Sequence, residues 1–127
     1  MKKKVLIVDD SPNSIILVQS YLDNIDYNIY TAYNGLEACN KAQKIIPDII
    51  LMDIKMPVMN GIEATIKIKK NPFTNSIPII LLSSLDKNEI HNLNNTHNFI
   101  KLITDYIQKP IEKIKLIEVL QKHHLII

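Results

Sequence analysis

Short apolar runs rich in β-branched residues recur along this chain, each separated from the next by a stretch that reads as a helix. That alternation constrains the fold more than any other feature. Lys4–Val8, Asn28–Ala32, Asp48–Met52, Ile77–Leu82 and Asp105–Gln108 read as strands. Between and after them, helices are expected from Pro12 to about Asn24, over "NGLEACNKAQKI" after an Asn-Gly turn, over Gly61–Lys70, from Lys87 to about Leu102, and over Ile111–Lys122. Strands that are apolar on both faces belong to a parallel sheet covered by helices on both sides. Right-handed crossovers leave few ways to connect it. A chain of 127 residues makes this one domain, residues 1–127, with no linker or repeat.

In such sheets the ligand sits where the strands end. The residues there are Asp9 and Asp10 after the first strand, Asp53 at the end of the third, Ser83 and Ser84 at the fourth, and Lys109 at the fifth. Three carboxylates on one edge repel each other. A hard divalent cation with oxygen ligands relieves that repulsion, and Mg²⁺ pairs one or two carboxylates with water and phosphate oxygens. With such an ion present, Asp53 can act as a nucleophile toward phosphorus and form an aspartyl phosphate. Lys109 and the Ser83 hydroxyl would then each take a phosphoryl oxygen. The Met56-Pro57 turn would stiffen the following loop and aim the Lys55 carbonyl back toward the metal.

The rest of the composition narrows the setting. Net charge is +2 and all fifteen basic residues are Lys, so neither a strong positive field nor arginine base reading points to nucleic acid. The apolar run at Val5–Val8 is too short for a secretory leader, and nothing reaches the length of a membrane span. The lone Cys39 fits a reducing, cytoplasmic setting. The pair His123-His124 reads as solvated tail, and Lys67, Lys69 and Lys70 as a solvated helix end.

The segments "VLIVDDSPNS", "AYNGLEA", "PDIILMDIKMPVMNGIEA", "PIILLSS" and "DYIQKPI" extend over nearly the whole chain. Together they resemble the receiver domains of two-component response regulators, of the chemotaxis-regulator kind. The resemblance implies a flavodoxin-like (βα)5 doubly wound sheet with strand order 2-1-3-4-5. It implies Asp53 as phosphoacceptor, with Mg²⁺ held by Asp9, Asp10, Asp53 and the Lys55 carbonyl, Asp10 ahead of Asp9 as direct ligand. It implies Ser83 as the phosphoryl contact, Lys109 as its ion-pair partner, and Tyr106 with Ser83 as the switch pair. The phosphodonor would be a histidine kinase or a histidine phosphotransfer protein, and an output protein would read the fourth helix, fifth strand and fifth helix.

Such a chain transfers a phosphoryl group to and from itself without multiple turnover. The competing readings are a pseudo-receiver that binds partners without phosphate, and a haloacid-dehalogenase-like phosphohydrolase. The hydrolase needs a second acid two residues after its nucleophile, where this chain has Lys55. Two departures stand out. The interval from Ser83 to Lys109 is long, with "KLITDY" in place of the usual Gly-Ala, so the fourth helix or its following loop is expected to be extended or reshaped. Ser84 stands where Ala is common. The chain ends soon after its fifth helix, which suits either a single-domain regulator or one piece of a longer protein.

Overall fold

The computed structural model describes residues 2–97 and 99–126, and for 94–97 the backbone alone is considered. Strands β1 (Lys3–Val8), β2 (Tyr27–Ala32), β3 (Ile49–Asp53), β4 (Ile79–Ser83) and β5 (Asp105–Gln108) alternate with helices α1 (Pro12–Tyr21), α2 (Gly35–Ile45), α3 (Gly61–Lys70), α4 (Lys87–His97) and α5 (Lys113–Lys122). All pairings are parallel and the order is β2-β1-β3-β4-β5. This is the expected flavodoxin-like arrangement.

The strands are apolar on both faces because two cores need them. Val5 and Ile7 of β1, Ile49 and Leu51 of β3, Ile80 and Leu82 of β4 and Ile107 of β5 pack with α1 and α5 residues such as Val18 and Leu116. The alternate positions Leu6, Val8, Ile50, Met52, Ile79 and Leu81 pack with Ala38, Ala42, Ala64, Ile68 and Phe99 on the other side. A two-residue period therefore divides each strand between cores. Pro110 follows a cis Lys109–Pro110 bond at the end of β5.

Helix starts are set by short polar side chains. The Ser14 N–H donates to Ser11 Oγ (3.3 Å), with Pro12 in the first turn of α1. α2 and α3 begin alike. The Glu37 N–H donates to Asn34 Oδ1 (2.8 Å) and the Glu63 N–H to Asn60 Oδ1 (2.9 Å), while Asn60 Nδ2 reaches back to Glu63 Oε1 (3.1 Å). The two Asn-Gly pairs are thus helix caps and not turns. Neither glycine has a positive φ; that conformation falls on Ile46, Val58 and His124.

Other expectations also shift. α1 stops at Tyr21, β4 runs one residue past Leu82 to include Ser83, and α5 starts at Lys113. In place of the single helix expected from Lys87 to Leu102 there are α4 and a 3-10 turn at Phe99–Leu102, with Ile90 of α4 and Phe99 of the turn both buried. Lys67 and Lys70 are exposed as expected, while the half-buried Lys69 folds back to the carbonyls of Asn75 (3.1 Å) and Ile77, closing the loop before β4. His123 is not free tail. Its Nε2 lies 2.8 Å from Asp105 Oδ2, tying the end of α5 to the start of β5.

Among the described residues one buried side-chain oxygen has no partner, the hydroxyl of Thr65 on the inner face of α3. A buried unpaired hydroxyl costs on the order of 1 kcal/mol or more. Thr65→Val keeps the shape and removes the oxygen. It is expected to raise stability by about 1 kcal/mol, read as a higher urea midpoint with unchanged slope; a lower midpoint would show that the hydroxyl is satisfied.

Candidate active site

The candidate acids, Ser83 and Lys109 lie at the carboxyl edge of the sheet, with Tyr106 set back within β5, and the strand order decides which of them meet. β1 and β3 are neighbours, with Val8 opposite Met52, so the residues that follow, Asp9 and Asp53, are side by side. Asp9 is 4% exposed and Asp53 7%, whereas Asp10 is open to solvent. One oxygen from each of the three carboxylates can be chosen so that all lie within 4.8 Å of one another. The donor set is oxygen only, which suits a hard divalent cation such as Mg²⁺.

Lys109 compensates part of this charge. Its Nζ is 2.8 Å from Asp9 Oδ2 and 3.4 Å from Asp53 Oδ1, so one ammonium bridges both buried acids. The reach is possible because the Lys109 N–H donates to the Ser83 carbonyl (2.7 Å), which holds its main chain over the end of β4. The second oxygen of Asp9 accepts from the Ser11 N–H (2.9 Å), and Asp53 Oδ1 also accepts from the Ile54 N–H (2.9 Å).

The compensation is incomplete. Burial, then the charge of Asp9, push the Asp53 carboxyl up to about 6 against the pull of Lys109 and the Ile54 N–H. Lys109 moves the other way round: burial lowers its affinity for a proton, but the two acids outweigh burial and raise it. A site whose acid is held above its ordinary range while its base stays charged is short of positive charge.

Ser83 closes β4, 2% exposed, and shares its alternation with Ile79 and Leu81. Its Oγ accepts from the Leu85 N–H (3.1 Å), which leaves its own proton to donate elsewhere. Tyr106 is half-buried against the same core, opposite Leu81 and two register steps before the Ser83–Gln108 pair along β5. Ser83 and Tyr106 thus occupy one face of adjacent strands. Lys55 lies exposed in the loop after β3, and Ser84 is exposed.

Two contributors escape a reading of the residues alone. The Ser11 N–H that fixes Asp9 is a backbone group and leaves no mark in the sequence. The chain's only two glycines do leave one, since both follow Asn and precede x-Glu. A Cβ at Gly61 would fall 1.9 Å from the Asp53 carbonyl oxygen, so α3 can start this close to the end of β3 only on a glycine.

Comparison with known proteins agrees with this geometry. The model of the response regulator receiver domain matches residues 5–121. The response regulator PleD of Caulobacter vibrioides is 33% identical over 118 residues, covering 91% of this chain; the chain spans a quarter of PleD's length. The chemotaxis protein CheY4 of Vibrio cholerae superposes with a TM-score of 0.83 at 31% identity, covering 96% of this chain and 98% of that one. The receiver domain of the sensor histidine kinase PA1611 of Pseudomonas aeruginosa, solved with a magnesium ion coordinated in its active-site cleft, gives 0.83 at 25% identity over 96% and 97%. Sheet order, acidic cluster and family match converge: this chain belongs to the response regulator receiver domains, the CheY-like signalling modules of two-component systems.

Proposed function

We propose that this chain is a phosphorylation switch in which Asp53 takes a phosphoryl group from a phosphohistidine-bearing donor, a histidine kinase or a histidine phosphotransfer protein. The observation that carries the reading is the bridge from Lys109 Nζ to Asp9 and Asp53 at 2.8 and 3.4 Å inside a three-carboxylate cluster. Asp9, Asp10, Asp53 and the Lys55 carbonyl would hold Mg²⁺. When bound, the ion supplies positive charge against the phosphoryl oxygens and offsets the acids' repulsion.

The remaining work belongs to the chain. An Asp53 oxygen forms the new bond to phosphorus as the donor's nitrogen–phosphorus bond breaks, and the electron pair leaves with the imidazole. The reaction needs positioning and charge neutralisation more than covalent help. Asp53 is fixed by the Ile54 N–H. Lys109 is within reach of Asp53 and so of a phosphoryl group on it. The Ser83 hydroxyl would donate to a phosphoryl oxygen, and its movement would free or draw in Tyr106 on the same face. The surface of α4, β5 and α5 would report that change to an output protein. The hydrolase alternative is disfavoured because Lys55 is exposed and supplies no acid. The pseudo-receiver alternative is disfavoured because all of the acids, the hydroxyl and the ammonium are present.

Incubation with acetyl phosphate and Mg²⁺ is expected to add one phosphoryl group, seen by intact mass, and to leave Asp53→Asn unlabelled. Chelation should abolish labelling, and Lys109→Met should slow it by roughly 10²-fold. Equal labelling of Asp53→Asn would refute the assignment.

The raised Asp53 carboxyl also sets a pH dependence without metal. An unfolded chain loses this proton near the ordinary value of about 4, the folded chain at about 6. The folded state is therefore penalised progressively between those values and fully above about 6, with no penalty below about 4. Asp53→Asn should be more stable than wild type at pH 7.5 in chelator, by about 3 kcal/mol at most, and the gap should vanish near pH 4. Paired thermal melts across pH measure it. A gap independent of pH would remove the charge explanation.

A further inference from the structure

Resting on the reading above, we propose that the first turn of α2 is a positioning element for the Asp53 loop, with Gly35 as its contact residue. Nothing in α2 touches Asp53. The connection runs through main chain. The Gly35 N–H donates to the Met59 carbonyl at 2.8 Å. The approach is so close that a Cβ on residue 35 would lie 2.5 Å from the Met59 oxygen and 2.8 Å from the Asn60 oxygen. Both obstacles are backbone atoms, which cannot rotate away as a side chain would. One turn further along α2, Cys39 Sγ lies 4.0 Å from Met59 Sδ and 3.7 Å from the Ala64 carbonyl.

Met59 and Asn60 then lead into Gly61. Its N–H donates to the Ile54 carbonyl at 2.8 Å, and its Cα presses on the Asp53 carbonyl with no room for a methyl group. The path from Gly35 to Met59–Asn60, to Gly61 and to Asp53 is thus a series of backbone contacts without slack. It spans the loop that carries the Lys55 carbonyl.

That loop also needs an external hold. Val58 sits at φ 68, where a β-branched residue is strained, and it is 78% exposed, so its own burial does not keep it there. The next residue, Met59, bonds within the loop only through its N–H to the Pro57 carbonyl (2.7 Å), while its carbonyl and side chain meet Gly35 and Cys39 of α2. A shift of the 59–60 carbonyls would therefore be transmitted to both ends of the loop. Metal sites respond to such outer supports, whose loss costs roughly 10–100-fold in affinity.

The test uses the intact chain and Mg²⁺. Gly35→Ala is expected to weaken Mg²⁺ binding by about tenfold, by calorimetry, and to speed amide exchange over residues 54–60 in metal-free protein. Leu120→Ala, in the core on the opposite face, should lower the melting temperature and leave the Mg²⁺ affinity unchanged. If Gly35→Ala does not fold, Cys39→Ala carries the test with the same direction of change. A destabilised but folded Gly35→Ala (or, failing that, Cys39→Ala) whose Mg²⁺ affinity matches wild type overturns the inference and leaves the functional reading standing. Failure of the wild type to bind Mg²⁺ overturns both.

Discussion

Two buried carboxylates side by side, at the ends of adjacent strands, are the constraint around which the rest of this molecule is arranged. Neighbouring strands lie roughly 5 Å apart, so Asp9 and Asp53 meet at a separation where ionised acids repel strongly. The fold answers with one ammonium drawn from the far edge of the sheet. β5 is separated from β3 by β4, too far for a side chain to cross unaided. The Lys109 main chain is instead anchored to the Ser83 carbonyl at the end of β4, and the long aliphatic stem does the rest. The position of Lys109 is thus a consequence of sheet order as much as of its own chemistry. So is the placement of Ser83, whose carbonyl holds the lysine while its hydroxyl faces the other way along the strand's alternation.

Much of this was legible in the residues. The central strands β1, β3 and β4 are apolar on both faces and advertise themselves, because no solvent face interrupts them, whereas the edge strands β2 and β5 are legible from their β-branched and aromatic residues between turns. The misplacements have a common cause, which is that polar side chains were judged singly. Asn-Gly reads as a turn by local conformation, yet Asn60 is worth more capping α3, and its glycine is demanded by the Asp53 carbonyl and not by φ. Lys69 reads as a solvated charge, yet its stem spans the helix end to satisfy loop carbonyls. His123 looks like tail until β5 brings Asp105 beneath it. For Asn60 and Lys69 the deciding partners are near in sequence but outside the periodicity of any element, and for His123 the partner lies on another element. The α4 region is different. Its periodicity is weak, and Ile90 of α4 and Phe99 of the 3-10 turn both reach the core.

The two faces of the sheet divide the labour. Asp9, Asp53 and Lys109 follow the alternation of the residues packed beneath α1 and α5, while Ser83 and Tyr106 follow that of the residues packed beneath α2 and α3. A charge event at the first set can therefore be felt on the second only through the strand ends, where Ser83 belongs to both by its two oxygens. In the proposed switch, the coupling would rest on Ser83 at the end of β4, next to α4 and its 3-10 turn.

The same logic explains why an under-neutralised site is useful. Were Lys109 sufficient to balance the acids, Asp53 would be held at or below its ordinary range, and added cation or phosphoryl charge would bring little further change. It is held above that range by burial and by Asp9. A ligand can shift a conformational equilibrium only by its differential affinity for the two states. An excess of buried negative charge supplies that difference: whatever neutralises it binds to a site already poised at cost, and any backbone arrangement that brings positive charge or a hydroxyl closer is favoured in proportion. The free energy that a switch needs is only a few kcal/mol. In the proposed switch, holding Asp53 out of water beside Asp9 would contribute on that scale.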